Sequence, residues 1–427
     1  MDAQEVNVSI EEDTREEKIG YGDIIKQKEY MKIIISNVIS RFGDSIDSLA
    51  FTWLVYAVTG SASWAAIIFA LNQLPSVILQ PFTGALVENM NKKRVMVSTD
   101  LVRGMIVVML AILYKAGAVN PFILAAFTLI TSSVEAFCMP AGIALIPKII
   151  DKKYYAFGSS MNSTFCNISQ LIGLGIAGVI IGVGGIETAM FIDGATFFLS
   201  ALMTGMVRSN EERHEKKKIN AGDYFAELKE GFRYVKVKKV VLNFCILGVL
   251  VNAVTVPINS LQSPMAVEIF GLGSELLSVF GVALILGMSL GTVVLPYLIK
   301  RLPVRTIVVG SGILIGIGYG CFVLGRLTYG QAIPSYLLCG IISLITGITL
   351  SWTSGVVQIQ FMNSVEEQYL ARSASIFNAS ACAASPIMSM IVSALAIRLS
   401  VSTIFLGASA CMVAIFIIVG ISKMQLE

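Results

Sequence analysis

Val240 to Ala266, VVLNFCILGVLVNAVTVPINSLQSPMA, runs for 27 residues without a charge, and it is the first of six such runs. The others are Leu276 to Ile299, Thr306 to Gly325, Leu327 to Val365, Ser373 to Ile397 and Leu399 to Ser422. Only ten charged residues lie between Lys239 and Lys423, gathered in short clusters that separate the runs. Since about 20 apolar residues at about 1.5 Å rise cross a hydrocarbon core of about 30 Å, each run predicts one membrane-spanning helix. The long fourth run is read as a span from Ser335 to Met362 behind a loop around Gln331 and Pro334. Working back toward the N-terminus, the same reading predicts spans at Ile33–Ala57, Ala65–Val87, Val95–Tyr114, Phe122–Pro147, Tyr155–Val183 and Ala189–Val207. The expected fold is therefore all-α, with twelve transmembrane helices.

Composition leaves little else. Of 427 residues 55% are hydrophobic and 14% charged, with mean hydropathy +0.78, against about 25% charged in a soluble domain. No large extramembrane domain fits, so any chemistry lies within the helix bundle or on short loops. The opening MDAQEVNVSIEEDTREEKIG is polar and acid-rich, without the apolar core and small-residue site of a cleaved signal peptide. The seven cysteines all fall in predicted spans at no metal or redox spacing, and read as small packing residues. His214, the single histidine, stands in a charged loop. There is no GxxxxGK[ST] loop, nucleophile–base constellation, metal-ligand cluster or nucleic-acid motif. The expectation is a protein that is no enzyme, binds no metal or cofactor, and does not engage nucleic acid.

Charge placement orients the chain. Of 31 Lys and Arg, 26 fall in the N-terminal tail, in every second connection and at the C-terminus. Lys115, Arg326 and Arg398 lie at the opposite ends, while Arg41 and Arg103 are inside spans. The positive-inside rule then makes both termini cytoplasmic in a multi-pass protein of the cell membrane. The expected division is a tail at 1–32, a six-helix bundle at 33–207, a cytoplasmic linker at 208–239, a second bundle at 240–422 and a short C-terminus at 423–427. Within the linker, Phe225, Leu228, Phe232 and Val235 recur at three and four residues, an amphipathic helix expected on the membrane surface; a solvated linker helix is the alternative.

The two halves repeat one another. GALVENMNKKR (Gly84–Arg94) follows the second span as GTVVLPYLIKR (Gly291–Arg301) follows the eighth. AVTGSASWAA (Ala57–Ala66) corresponds to EIFGLGSELL (Glu268–Leu277), and YAFGSSMNS (Tyr155–Ser163) to LARSASIFN (Leu370–Asn378), in the same order. With its glycine, acid and basic cluster, GALVENMNKKR resembles the loop between helices two and three of the major facilitator superfamily, a resemblance that extends over essentially the whole chain. FCMPAGIALIPKII, FIDGATFFLSAL and FAELKEGFRYVK look like its macrolide-efflux and enterobactin-exporter branch. The chain departs from the superfamily loop in having Glu88 for aspartate, Asn89 for arginine and Leu295 in the second copy, and has Leu174 where an antiporter motif has proline. The resemblance implies two pseudo-symmetric six-helix bundles, with spans one, four, seven and ten lining a central cavity. It also implies that Gly84, Glu88, Lys92, Lys93, Arg94, Asp100 and Arg103 form a cytoplasmic gate.

Charges inside a bilayer are costly, about 2.5–3.5 kcal/mol each at a helix centre, so each calls for a role. All of them lie in the first half. Arg41, Asp44 and Asp47 recur every three residues on span one; Asp100 and Arg103 share span three and are expected to pair along that helix; Glu135 lies in span four. Asp44 stands 12 residues beyond Lys32 and Glu135 stands 12 before Pro147, so each is about 18 Å from its cytoplasmic end, near mid-membrane. Such acids beside Arg41 can bind and release protons, which suits coupling to a proton gradient as energy source. The alternative is a static Arg41–Asp44 or Arg41–Glu135 pair. Asp193 reads either as a packing or capping residue or as a functional one. In the second half Asn252, Thr255, Asn259, Trp352 and Gln358 offer hydrogen bonds for a bulky amphipathic ligand, or serve as interhelical contacts. The expected function is a monomeric secondary transporter exporting an antibiotic or siderophore-like molecule by proton antiport and alternating access. Its rivals are a lipid or lysolipid translocator, an importer, or a non-transporting sensor or assembly factor.

Overall fold

The computed structural model describes residues 21–88, 90–208, 233, 235–365 and 367–422. Among them the chain is helical and has no strands: a short α1 (Tyr21–Ile25), α2 (Lys28–Thr59), α3 (Ala62–Glu88), α4 (Lys92–Lys115), α5 (Pro121–Leu145) and α6 (Tyr155–Gly205). After the 208–239 linker follow α7 (Lys239–Ser260), α8 (Ser274–Arg301), α9 (Val304–Phe322), α10 (Ala332–Ser364), α11 (Glu367–Ala396) and α12 (Val401–Ile421). The expected N-terminal tail up to Gly20, the amphipathic run from Phe225 to Phe232 and the C-terminus after Ser422 lie outside the described residues.

Local chemistry sets the helix ends. Gly60 closes α2 in the left-handed region (φ 58°, ψ 18°), its N–H returning to the Tyr56 carbonyl. Asn91 starts α4 by accepting from the Arg94 N–H at 2.8 Å, and Asn120 starts α5 by accepting from the Phe122 and Ile123 N–H groups ahead of Pro121. The fifth and sixth expected spans are one bent helix, because Gly185 (φ 82°, ψ 166°) breaks α6 with a single residue and no loop. Ten described helices are long and apolar enough to cross a membrane. Counting α6 twice and adding α2, whose Arg41, Asp44 and Asp47 set it apart, is in keeping with twelve.

Outward-facing Val183, Leu327 and Ile421 are 88%, 78% and 80% exposed, a surface that only a bilayer makes stable. The packing repeats from half to half. In the first, α3 lies on α5, α4 on α5 and α6, and α2 along α6; in the second, α8 lies on α10, α9 on α10 and α12, and α7 along α11. The halves meet chiefly at two crossings, α3 with α11 and α6 with α8. Close approach within the second half rests on Gly287 and Gly347, where a Cβ would strike the Leu344 and Leu284 carbonyls across α8 and α10.

Candidate functional site

The hydrogen bonds between halves cluster at the end of the bundle that holds the α2–α3 turn. Tyr56 Oη donates to Glu268 Oε1 (3.2 Å), Ser389 Oγ to the Ala66 carbonyl (2.5 Å), and the Gly178 N–H to Ser278 Oγ (2.8 Å); the Ser63 and Ser393 hydroxyls share a bond at 2.8 Å. From this seam a cavity of about 540 Å³ runs toward mid-bundle. Val55 and Ala65 line its seam end, Asn72 and Gln73 one wall, and Asn259, Ser260 and Gln262 the wall from the second half. Arg41, Asp44, Asp47, Arg103 and Glu135 complete it.

Arg103 organises the charged wall. Its Nη2 donates to Asp44 Oδ1 at 3.0 Å and lies 3.9 Å from Glu135 Oε2, so one cation from α4 holds acids of α2 and α5 together. The guanidinium stacks on the Phe197 ring of α6, 4.3 Å from its centroid. α4 can come so close to α6 because residues 104 and 194 are glycines: a Cβ at either would press on Phe197 or Val108. The side chain is 11% exposed, against 27% for Asp44 and 53% for Glu135, so the cation is fixed by packing while its acids face the cavity.

This alters two expectations. The cation on Asp44 and Glu135 is Arg103, not Arg41, which is exposed at the cavity wall. Nor does Arg103 pair with Asp100: Asp100, 4% exposed, accepts from Ser200 Oγ at 2.7 Å, and Ser200 in turn meets Ser36 at 2.8 Å, tying α4, α6 and α2. Of the other expected gate residues, Lys92 and Lys93 open α4 and Arg94 gives its N–H to the Asn91 cap, while only the helical backbone of Gly84 and Glu88 is described.

Asp47 lines the cavity and also a recess of about 60 Å³ behind it with Asn72, Thr128 and Thr131. Among the expected substrate contacts, Asn259 reaches the cavity. Asn252 donates to the Gly248 carbonyl of its own helix at 3.0 Å, and Thr255 to the Asn252 carbonyl at 2.8 Å. Trp352 Nε1 donates to the Gly291 carbonyl at 3.0 Å, fastening α10 to α8, and Gln358 is exposed elsewhere. The amides Asn72, Gln73 and Gln262 were not anticipated; the adjacent Asn72–Gln73 pair inside an otherwise apolar span was the available signal. Among the described residues no cluster of His, Cys, Asp and Glu could hold a metal ion.

Outside the basic loops, Glu29 receives Lys32 Nζ (2.8 Å) and the Arg208 N–H (2.6 Å), clasping the start of α2 to the end of α6. Both bonds hold its carboxyl below the usual carboxylate range, the Lys32 bond foremost.

The sequence matches the Major Facilitator Superfamily over residues 33–389. It is 24% identical over 288 residues to the uncharacterized MFS-type transporter YkuC of Bacillus subtilis (strain 168), covering 64% of this chain and 65% of that one, a little under two thirds of its length. It is 21% identical over 390 residues to macrolide efflux protein A of Streptococcus pyogenes, covering 91% of this chain and 95% of that protein. In three dimensions it is similar to the nucleoside transporter NupG, with a TM-score of 0.71 at 13% identity, covering 92% of this chain and 100% of that one.

Proposed function

The chain belongs to the major facilitator superfamily, and from that premise we propose that this multi-pass membrane transporter exports amphipathic small molecules, such as macrolide-like drugs or siderophore-like metabolites, in exchange for protons. The observation that carries the reading is the cavity shared by the two halves. One wall holds two cations and three acids, Arg41 and Arg103 with Asp44, Asp47 and Glu135, and the facing wall offers the uncharged polar groups Asn259, Ser260 and Gln262. A ligand with a large apolar body and a few polar groups fits such walls. Asp44 and Glu135 can take a proton from the cavity only as Arg103 loosens and give it up as the cation returns, so proton binding and conformation are linked through one cation. With both termini cytoplasmic, the seam at Tyr56, Ser63 and Ala66 closes the outer side and the cavity faces inward. Similarity to macrolide efflux protein A supports the outward direction and the drug class. We take the working unit as a monomer, with the gate at Gly84–Arg94 and Asp100 acting on the cytoplasmic side.

The test is flux in proteoliposomes with a panel of macrolides, other drugs and siderophores, with and without an imposed proton gradient. Uphill movement of a panel member driven by the gradient supports the reading. Movement indifferent to the gradient removes the coupling, and no flux for any compound favours a sensor or assembly role. A lipid or lysolipid translocator has one observation in its favour. An apolar groove of about 600 Å³ between α6, α8 and α10, lined by Val179, Val282, Leu286 and Ile341, opens on the outer face of the bundle. Fluorescent lysolipid included in the panel decides between the two.

A further inference from the structure

Asp193 is a carboxylate that the cavity does not use. It lies in the second arm of α6, 0% exposed, and neither oxygen has a hydrogen-bond partner in the structure. Its place exists because residue 43 of α2 is glycine: a Cβ there would stand 2.5 Å from Asp193 Oδ1 and would overlap the Thr196 hydroxyl. The neighbouring Thr196 Oγ1 donates to the backbone carbonyl of Asp193 at 2.7 Å. A buried carboxylate with no donor is among the costliest groups a protein can keep, and calls for a partner in some state of the molecule.

An unmet donor stands on the facing helix α4. Arg103 bonds Asp44 through Nη2, while its buried Nε has no partner. Its guanidinium already rests on Phe197, one turn beyond Asp193 on α6, and the two charges are within electrostatic reach of each other. The other ionisable groups around them are Asp44 and Asp47 on α2, Asp100 on α4, and Glu135 and Cys138 on α5, all of them acidic, while Arg41 of α2 lines the same cavity but is exposed on its wall. Arg103 is the cation they share.

We propose that Asp193 is the alternate partner of Arg103: a positioning residue that takes the guanidinium when the transporter changes conformation and Asp44 and Glu135 are released. Phe197 acts as the track, keeping ring contact as the guanidinium moves along α6. In either state, the buried acid that lacks the cation is neutral, because an unpaired charge there costs more than a bound proton. The exchange has a net proton count: as the guanidinium passes to Asp193 that carboxyl gives up its proton, while Asp44 and Glu135, both released, each take one from the cavity, so one proton is bound overall and falling pH favours the exchanged state. This deepens the proton-linked reading of the cavity and rests on it.

The test uses the full chain in lipid nanodiscs, without substrate, with two spin labels across the end of the bundle opposite the seam, and their distance followed against pH. Wild type is expected to shift between two distances as pH changes. Asp193→Asn, which cannot hold the cation as an anion, is expected to keep the seam-closed distance at every pH, favoured by about tenfold or more over wild type. Asp193→Glu should restore the shift with a displaced midpoint. A wild-type pH shift in Asp193→Asn, while Asp44→Asn abolishes it, overturns this proposal and leaves the coupling reading standing. No pH-driven shift in wild type overturns both. Should Asp193→Asn fail to fold, Asp193→Glu carries the test, and a wild-type midpoint there overturns the proposal.

Discussion

Removing Arg103 gives the most direct measure of what the charged wall contributes. At 3.0 Å and 3.9 Å, its attractions to Asp44 and Glu135 are about 5 and about 4 kcal/mol at an effective dielectric of about 20. Those are gross figures. Holding a guanidinium at 11% exposure returns much of the first as desolvation, and Glu135 at 53% exposure is screened enough that the second falls below about 1 kcal/mol. Arg103→Met should therefore lower the unfolding free energy by about 3 kcal/mol, mostly because Asp44, half-buried at the cavity wall, is left unpaired. Asp44→Asn alone should cost about 1–2 kcal/mol. In the double variant no stranded charge remains, so it should be no less stable than Arg103→Met, giving a coupling of about 1–2 kcal/mol. The stacking on Phe197 is lost in both arms that lack Arg103 and cancels from the cycle. The assay is reversible chemical unfolding of the four proteins in mixed detergent–lipid micelles. Additivity within about 0.5 kcal/mol would refute the claim that the pair acts as a unit.

Four further outcomes are expected. Gly185→Ala should destabilise by about 1 kcal/mol, since alanine is strained at φ 82°, whereas Gly205→Ala, with open space around it, should be neutral or stabilising in the same unfolding assay. Tyr56→Phe and Ser389→Ala each remove a hydrogen bond from the seam and should shift the equilibrium away from the seam-closed form by about 1 kcal/mol, roughly fivefold, read as faster labelling of a cysteine at Ser63; unchanged labelling would remove the seam's role. Cysteines at Gly117 and Gly184 should react with an impermeant thiol reagent from outside and one at Asn210 only after permeabilisation, and outside labelling at Asn210 would invert the topology. Glu29 has its carboxyl held below its ordinary value of 4.5, so its bonds stabilise above that pH and are lost as pH falls through the lowered value. The stability difference between wild type and Glu29→Gln should then be present at pH 7, at about 0.5 kcal/mol or less, and vanish in strong acid.

Spacing of charges was enough to read the helical architecture, because a bilayer tolerates charge only between helices and so marks their ends directly. It failed where an end carries no charge. The run from Val240 to Ala266 includes the break after Ser260, made by neutral Pro257 and Leu261, whereas the break expected between Val183 and Ala189, where Glu187 stands, is a one-residue turn at Gly185. The acids of the cavity were legible for the same reason as the spans. Their cation was not. Arg41 stands three residues from Asp44 along the sequence, yet Arg103 reaches it from another helix, because Gly104 and Gly194 let α4 settle on α6 and Phe197 holds the guanidinium at the right height. Linear distance along one helix says nothing of such a cross-helix approach; the small residues at both sides of the α4–α6 contact were its only trace.

That arrangement makes α2 the element on which both charges depend. Consecutive residues on a helix point about 100° apart, so Gly43 and Asp44 stand at one height but serve different neighbours. Gly43 is the slot that admits Asp193 from α6, and Asp44 is the acid that holds Arg103 from α4. A tilt or turn of α2 against α6 cannot disturb one without the other: loosening Asp44 from the guanidinium also changes the space over Asp193. Gly43→Ala separates this linkage from the ion pair itself, since the new methyl meets Asp193 and Thr196 while leaving every charge in place. It should slow the pH-driven change in conformation by about tenfold or more while substrate binding in the cavity stays near wild type. A Gly43→Ala protein that cycles as wild type would show that α2 moves without α6, and would separate the two acids.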